Sequence, residues 1–585
     1  MEKKRIVPAG LEPHVYEELE KIVGSDWISN DRAVIETYSK LSLDPDGYLK
    51  KHMKDPSSLP ACVILPGSTE DVQSIVRIAN THGVPFVPFT NGQMMSAPTT
   101  KDATLCIHLS RMNNVVSVDE DTMTATVEAY ADYGQVIAEA VKVGLWNGGT
   151  PLATTLCKIS SQTAIAGIWQ TAKKYGLLGR NIISLTVVLP DGDIIKTGSG
   201  ATTGVDDFWD YGPGPDLYAL LRGSLGSAGI ITEITVKLHS WVGGTDMPEP
   251  AAGRPCIHNY YEPKFDTAPP PENHRLFWME FPDYDAEINA FREIAHSGVG
   301  IGLNATGVYN TYYCSQTQEM TEERVKKKFF PPWNLYVICA ATTSERQIPY
   351  EEKVLREIAA EYGGLFLEND YKPEVREALA PWNLDCIRHV TGYRMNRRNY
   401  AGGMFAGGAP EIAKQHSDVW GDAINAFGET YMTDRGGVDN TVFLYAMDPG
   451  GRFNITETDL YPDPMDPEAL QRSSAIGVYG IVKNILKKSQ PFGFGLSLEP
   501  LTSFFPEQGP NAYLLFRKFR KILDPNNVSS PGRQVFTREE FEALPKEMRD
   551  GISKMRIFVK LNPWVVRVLW TAVSFVSRIK RRYGS

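Results

Sequence analysis

Three segments rich in small residues could bind the phosphates of a nucleotide cofactor. Residues 85–96 read PFVPFTNGQMMS, residues 148–167 read GGTPLATTLCKISSQTAIAG, and residues 223–231 read GSLGSAGII. Small residues let the backbone approach a ligand closely, and runs of exposed N–H groups bind anions. One such loop is commonly only a tight turn. Three of them in one region predict a cofactor site.

The first segment has one glycine, yet it keeps the features of a pyrophosphate cradle. Asn91 and Gly92 can adopt positive φ and direct backbone N–H groups at a phosphate. The hydroxyls of Thr90 and Ser96 add donors. The candidate phosphate-binding residues of this segment are therefore Thr90, Asn91, Gly92 and Ser96.

A second chemical cluster lies in DCIRHVTGYRMNRRNYAGG, residues 385–403. Its arginines could hold an anionic group of a substrate through two hydrogen bonds, and a tyrosine or histidine could transfer a proton. The catalytic candidates are therefore Arg388, His389, Tyr393 and Arg394. The alternative is a solvated basic face, or arginines paired with carboxylates of the protein.

Composition excludes several functional classes. The net charge of −10 argues against nucleic-acid binding. The seven cysteines are scattered without metal-ligand spacing, so we expect reduced thiols in a cytoplasmic protein and no metal centre. At 585 residues the chain can form two or more domains.

Residues 554–583, here called the basic segment, carry only basic charges around a long apolar run. Arg567, Thr571, Ser574 and Arg578 recur at steps of four, three and four, which predicts one amphipathic helix with a narrow polar stripe. The apolar run is short for a membrane span and contains Arg567. A helix lying on an anionic membrane surface is one interpretation. Packing on the protein itself or on a partner is the other.

Hydrophobic periodicity predicts an α+β chain. Ser68 or Thr69 should cap a helix whose buried stripe is Val72, Ile75, Val76 and Ala79. NIISLTVVLPDGDIIKTGS predicts a β-hairpin. The expected units are a helical segment at 1–56, an α+β domain at 57–241, a domain around an antiparallel sheet at 242–504, a helix and loop at 505–545, and the basic segment.

Three motifs carry a resemblance to a known family. They are KYGLLGRNIISLTVVLPDGDIIKTG, GPDLYALLRGSLGSAGIITEITVKL and KILDPNNVSSPGR. In these the chain resembles the vanillyl-alcohol oxidase and p-cresol methylhydroxylase (PCMH) superfamily, which also includes D-lactate and glycolate dehydrogenases. The resemblance implies a two-domain, PCMH-type FAD-binding fold. Residues 242–504 would be an antiparallel-sheet cap domain that holds the substrate, and residues 505–545 would return to the flavin.

The same resemblance implies FAD as the cofactor and assigns positions to it. The first small-residue segment matches the family's pyrophosphate loop, which adds Gln93 and Met94 to the candidates there. In the second small-residue segment these are Gly149, Thr150, Pro151, Ser160, Ser161, Ala164 and Gly167. Ser160 and Ser161 stand where the family has paired glycines. Elsewhere the implied cofactor-binding residues are Gly226, Gly229, Ile230, Ile231 and Arg533.

Departures from the family pattern bear on how FAD is attached. Gln93 stands where some members have a histidine linked to the flavin, so we expect a non-covalent cofactor. Cys157 aligns close to the cysteinyl link of other members, although a small buried thiol is the plainer interpretation. His389 or His416 of the cap domain are further possible attachment points.

The resemblance implies an FAD-linked oxidase or dehydrogenase. It would transfer a hydride between flavin N5 and a small alcohol, phenol or hydroxy acid, and exchange electrons with a quinone, a redox protein or oxygen. Reduction of an activated alkene and a non-catalytic flavin-fold module at the membrane are the alternatives. The resemblance also favours a homodimer. The expected location is the cytoplasm, with peripheral attachment to the membrane.

Overall fold

The structure of the protein is a computed structural model of the 585-residue chain. The residues that it describes are 11–38, 59–90, 104–149, 157–165, 167–212, 216–245, 273–305, 307, 323–324, 326–367, 402–428, 443–460, 467–487, 509–533, 535, 538–543 and 546–572.

The first domain begins with a mostly parallel sheet of order β1–β2–β4–β3. Its strands are β1 (Ile28–Ser29), β2 (Cys62–Ile64), β3 (Phe86–Phe89) and β4 (Leu105–His108). Strands β2, β3 and β4 run parallel, and β1 pairs antiparallel with β2. The segment at 1–56 therefore contributes a strand as well as the predicted helices. Helices α1 (Pro13–Val23), α2 (Arg32–Thr37) and α3 (Thr69–His82) accompany this sheet.

Helix α3 is specified by a capping residue, an apolar stripe and a terminal glycine in its own sequence. The Ser68 hydroxyl accepts a hydrogen bond from the Asp71 backbone N–H, which caps the first turn. The predicted apolar stripe is buried along its whole length: Val72, Ile75, Val76 and Ala79. The helix ends at Gly83, whose φ of 65° suits glycine. The predicted cap and stripe are both confirmed.

A second, antiparallel sheet of the first domain has the order β5–β6–β10–β8–β9. Its strands are β5 (Val115–Asp119), β6 (Thr124–Glu128), β8 (Ile182–Val188), β9 (Ile194–Lys196) and β10 (Ile230–Lys237), and β7 (Leu145–Trp146) pairs separately with β11 (His239–Ser240). The helices are α4 (Tyr133–Val141), α5 (Ile159–Ile165), α6 (Ala172–Tyr175) and α7 (Tyr218–Leu221). The hairpin of β8 and β9 turns at Gly192, as predicted.

The cap domain is built on an antiparallel sheet of order β15–β12–β14–β13–β17–β18–β16. The strands are β12 (His274–Glu280), β13 (Gly302–Ala305), β14 (Asn334–Ala340), β15 (Leu365–Phe366), β16 (Gly402–Gly408), β17 (Phe443–Ala446) and β18 (Asn454–Leu460). The helices are α8 (Tyr284–Ser297), α9 (Gln347–Glu361), α10 (Ile412–Phe427) and α11 (Pro467–Leu486). The predicted α+β fold with an antiparallel cap sheet is confirmed.

The two faces of the cap sheet have different neighbours because side chains alternate along a strand. Phe277, Val337 and Leu444 lie in one hydrophobic core with residues of α8 and α9. Trp278 and Tyr336 lie in another core, together with Tyr133 and other residues of the first domain. The second face of the sheet is therefore the face toward the first domain.

The remaining helices are α12 (Pro510–Leu523), α13 (Arg538–Ala543) and α14 (Lys546–Phe558), followed by helical residues 563–572. The described part of the basic segment is not one continuous helix, because residues 559–562 interrupt it, and residues 573–583 lie outside the described residues. Phe558 ends α14, and the next helix starts at Pro563, which has no backbone N–H to continue a helical ladder. The Asn562 side chain caps the new start by accepting from the Trp564 N–H, 2.9 Å away. Among the described residues, no helix is long and apolar enough to cross a bilayer.

Candidate cofactor and substrate site

The first part of the site lies where strands β3 and β4 end. Thr90 directly follows β3, and His108 is the last residue of β4, level with Phe89. The carboxyl ends of parallel strands meet at one edge of a sheet, and ligands of open α/β sheets bind outside that edge. The predicted pyrophosphate loop therefore starts at such an edge.

His108 forms a partly enclosed aromatic cluster at this edge. Its Nδ1 is 2.9 Å from the Tyr38 hydroxyl, and its ring meets those of Phe89 and Tyr130 edge to face. Burial lowers the His108 pKa to about 4, against a smaller opposing effect of the Thr90 backbone. The imidazole is therefore neutral at pH 7, and it can position the start of the loop as a hydrogen-bonding group.

The Tyr130 ring connects this cluster to the second small-residue segment. The Lys158 ammonium lies 4.4 Å from the centroid of that ring and 3.0 Å from a carboxylate oxygen of Asp132. Close to Lys158 in the chain, the Ser160 hydroxyl donates to the carbonyl of Ala129 at 2.6 Å. Helix α5 and the strand edge are thereby held side by side, with one cation at their junction.

Strand β3 is also the contact point for the third segment and for the loop after α12. A Cβ built on Gly226 would lie 2.5 Å from Pro88, and its φ of 81° favours glycine. The Ser529 hydroxyl donates to the Gly226 carbonyl at 2.7 Å. The Ser530 N–H donates to the Phe86 carbonyl at 2.8 Å. Segments more than 300 positions apart in the sequence thus meet around one strand.

Two buried charged side chains shape the loop after α12. The Asp524 carboxylate accepts from the backbone N–H groups of Val528 and Ser529, both at 2.9 Å. The Arg520 guanidinium donates to the carbonyls of Ser529 and Arg533. Both side chains lie at the end of one helix, so α12 determines the path of the loop back to β3.

Arg533 is fully buried at the end of this loop, with 1% of its surface exposed. Burial raises the pKa of the Cys106 thiol on β4, and the Arg533 charge opposes that rise. A buried guanidinium beside the parallel sheet is the kind of group that binds a phosphate or another anion.

The second part of the site is a seam between the domains. Residues 170–174 lie along β13: the Asn304 amide donates to the Gln170 carbonyl at 3.1 Å, and the Lys174 N–H donates to the Ile301 carbonyl at 3.0 Å. The Lys173 ammonium donates to the Val299 carbonyl at 2.6 Å. Burial lowers the Lys173 pKa to about 8. These bonds join α6 and its approach to the cap sheet.

Several buried polar atoms at the seam have no partner in the part of the chain that the structure describes. They are the amide oxygens of Asn147, Gln170 and Asn304, and near β3 the hydroxyl of Ser530 joins them. Buried polar atoms are almost always hydrogen-bonded. A polar ligand that passes from the β3 edge to the seam would supply the missing donors, as a dinucleotide cofactor and its substrate can.

The cap face above the seam is aromatic. The Trp278 and Tyr336 rings are 4.7 Å apart, and Phe443 and Tyr445 stack at 5.7 Å. Glu457 pairs with Phe443 across the strands, and 1% of its surface is exposed. This face therefore combines flat apolar surface with a buried carboxylate.

The structure describes some of the predicted cofactor residues, and they lie at several places in or beside the first domain. Thr90, Gly226 and Arg533 meet around β3 and β4 as described above. Gly229, Ile230 and Ile231 lie at the start of β10, where both isoleucines pair with β8. Gly149 packs against Thr171 and Trp169, and Gly167 packs against Gln162. Ser160, Ser161 and Ala164 belong to α5.

The other predicted site residues lie outside the described residues. They are Asn91, Gly92, Gln93, Met94, Ser96, Thr150 and Pro151 for the cofactor, and Arg388, His389, Tyr393 and Arg394 for catalysis. Their roles stay predictions. Among the described residues, no group of His, Cys, Asp and Glu is placed to hold a metal ion.

The structure bears on two of the possible covalent links. His416 is buried on the helical side of the cap sheet, with its ring nitrogens 3.2 and 3.3 Å from the hydroxyls of Thr456 and Thr458. Burial lowers its pKa to about 3. It is a core histidine, turned away from the first domain. Cys157 is half-buried, so the interpretation as a small buried thiol is not met in full.

Sequence reasoning missed His108, Tyr38, the amides of the seam, and Glu457. His108 had a signal, because LCIH and PFVPF are neighbouring apolar strands that could end at one edge. Glu457 lies in the alternating strand NITETDL and gave no signal, since its face depends on tertiary packing.

Comparison with known proteins agrees with this geometry. The FAD-binding domain family matches residues 60–198. The chain is 31% identical over 229 residues to the mitochondrial D-lactate dehydrogenase [cytochrome] 1 of Saccharomyces cerevisiae, a match of 38% of this chain and 37% of that protein. It is 32% identical over 182 residues to the GlcD subunit of glycolate oxidase of Bacillus subtilis, covering 31% of this chain and 37% of the subunit. Residues 60–198 of this chain therefore form an FAD-binding domain.

Solved structures extend the likeness of fold to both domains. A substrate-bound p-cresol methylhydroxylase superposes with a TM-score of 0.68 at 17% identity, covering 90% of this chain and 98% of that one. The 4-ethylphenol oxidase from Gulosibacter chungangensis gives 0.68 at 19% identity over 90% and 98%. The β3 edge and Arg533 suit the anionic part of FAD, and the seam atoms without a described partner suit its polar groups. The chain matches the curated sequence relatives over little more than a third of their length.

Proposed function

We propose that this protein is an FAD-dependent oxidase or dehydrogenase of a phenol or aromatic alcohol. The proposal rests on the aromatic face that the cap sheet turns toward the FAD-binding domain. The bound flavin would supply the two-electron redox chemistry by exchanging a hydride with the substrate. The protein would supply orientation, electrostatics and exclusion of water.

The cap face suits a flat, uncharged ring. Trp278, Tyr336, Phe443 and Tyr445 line this face with aromatic rings that are buried against the first domain, the kind of surroundings that suit an aromatic substrate. At the described positions of this face on β12, β13, β14, β17 and β18, no Lys or Arg occurs. A carboxylate such as lactate would need a cation there. The predicted arginines at 388–398 lie outside the described residues, so a hydroxy acid held by them is the competing substrate class.

Polar groups around this face can bind the substrate hydroxyl and accept its proton. The oxygens of Asn304 and Gln170 are buried acceptors, and Glu457 adds a carboxylate. A hydroxyl that donates to one of them would be oriented in the seam, and a carboxylate can take up its proton as the hydride leaves. Two electrons would then pass to oxygen, a quinone or a redox protein.

The test is anaerobic reduction of the bound flavin by a panel of substrates. We expect 4-ethylphenol or a related aromatic alcohol to bleach the visible flavin spectrum, while D-lactate and glycolate leave it unchanged. Bleaching by D-lactate or glycolate alone would overturn the substrate class. A flavin that dithionite reduces but that no member of the panel reduces would favour the non-catalytic module.

A further inference from the structure

The described part of the basic segment presents an exposed apolar face. In the helical residues 563–572, the exposed fractions are 62% for Trp564, 49% for Val565, 69% for Val568 and 45% for Leu569. At 100° per residue these four lie within one arc of about 140°. On α14, Ile557 is also 64% exposed.

The opposite face anchors the helix to the cap domain. Val566 is buried in one core with residues of α10 and α11, and Val559, in the turn before the helix, belongs to the same core. The Trp570 ring meets the Phe427 ring edge to face at 5.1 Å. The helix is therefore fixed in place while its other side faces outward.

Polar residues separate the two faces on one side. Arg567 and Thr571 are exposed, and they lie between the buried and the exposed apolar stripes on the helical wheel. The Arg567 guanidinium lies 5.5 Å from the centroid of the Trp564 ring. A basic side chain thus borders the exposed apolar stripe directly.

Charge along the chain is strongly segregated. The basic segment contains eight Lys and Arg and no acidic residue. The rest of the chain therefore carries −18, because the whole chain carries −10. A second copy of this face would meet it with like charge, whereas an anionic surface would complement it.

We propose that this face docks on the surface of an anionic lipid bilayer. Trp564, Val565, Val568 and Leu569 would enter the headgroup region, and the basic side chains would contact lipid phosphates and carboxylates. A helix with an apolar stripe, a tryptophan and flanking cations binds in the plane of the interface. Each cation near such a surface adds to the attraction, which salt screens. This surface is separate from the flavin site.

Flotation of the full-length protein with lipid vesicles tests the proposal. We expect it to bind vesicles of phosphatidylcholine with about 30% phosphatidylserine, and to bind pure phosphatidylcholine at least about tenfold more weakly. The double variant Trp564→Ser/Val568→Ser should lower the partition coefficient for anionic vesicles at least about tenfold. Flavin content and melting temperature should stay unchanged, because both side chains are exposed.

Trp209→Ser provides the matched control. Trp209 is 58% exposed and follows β9 in the first domain, so the variant removes a similarly exposed tryptophan from another part of the chain and should bind like the wild type. Wild-type protein that does not bind anionic vesicles would overturn the proposal. So would equal binding by the double variant. A wild-type dimer that the double variant disperses, without vesicle binding, would also overturn it and would assign the face to a second copy.

Discussion

Gly226 is a position where a single methyl group should matter. Its backbone is left-handed, and an added Cβ would lie 2.5 Å from Pro88 on β3. We expect Gly226→Ala to destabilise the protein by about 3 kcal/mol or more, through backbone strain and overpacking. Because β3 leads into the predicted pyrophosphate loop, FAD affinity should fall too. Thermal melting and flavin content per chain measure the two effects.

Gly83→Ala is the control for that substitution. Gly83 also has a positive φ, but no atom of a neighbouring residue lies within 4 Å of the position that an added Cβ would take. The expected cost is only about 1 kcal/mol of backbone strain, with FAD content unchanged. Equal losses of stability in the two variants would mean that the clash between the added methyl group and Pro88 contributes nothing to the destabilisation.

Glu457 tests the proposed role of the cap face. We expect Glu457→Gln to lower kcat/KM for the bleaching substrate at least about tenfold, because a positioned carboxylate contributes about that much or more to proton transfer. Steady-state kinetics at equal flavin content measure the loss. Glu287→Gln is the control, since Glu287 is also buried but belongs to α8 on the helical side of the cap sheet. Similar kinetics in both variants would mean that Glu457 takes no part in the reaction.

His416 should make stability depend on pH. Its pKa is lowered to about 3 in the fold, so below the unfolded value of 6.5 the unfolded chain binds a proton that the folded chain does not. Stability is therefore lost as pH falls, by about 2 kcal/mol between pH 7 and pH 5 for this group. Melting temperatures at the two pH values should differ less for His416→Asn. An unchanged difference would contradict the burial of a neutral imidazole.

At the scale of elements, α12 and the loop that follows it act as one unit. Asp524→Asn replaces one of two acceptor oxygens by a donor, which leaves a buried backbone N–H unpaired. We expect a loss of about 1–3 kcal/mol together with weaker FAD binding, measured by melting and by FAD titration of the apoprotein. Asp283→Asn, at the exposed cap of α8, is the control. It should cost only a few tenths of a kcal/mol, because Asn is also a good cap. Unchanged FAD affinity in Asp524→Asn would mean that the loop after α12 does not contribute to FAD binding.

Elements with local signals could be predicted from the sequence, and their arrangement could not. Ser68 and the stripe of α3 specify that helix within a few residues, and Pro190-Asp191-Gly192 specifies a hairpin turn. The seam of Gln170 with Asn304 joins segments 134 positions apart and has no local signal. The break before Pro563 did have a local signal, the proline itself, but the prediction gave more weight to the apolar period of the basic segment.

For the whole molecule, the resemblance carried by three motifs correctly gave the fold, whereas much of the predicted chemistry lay in loops. Gly226 and Arg533 meet at β3 because the loop after α12 returns to the parallel sheet. No periodicity in the sequence encodes that return. The cap face, with Trp278 and Glu457, depends in the same way on which side of a sheet meets the first domain.

The visible spectrum of the purified chain, before and after acid precipitation, tests most directly whether FAD occupies the β3 edge and the seam without a covalent bond. We expect a yellow protein that releases all of its FAD into the supernatant, since Gln93 replaces the linking histidine and His416 is enclosed in the cap core. Colour that stays in the pellet would contradict the non-covalent link. A protein that is colourless and takes up no added FAD would contradict the site itself.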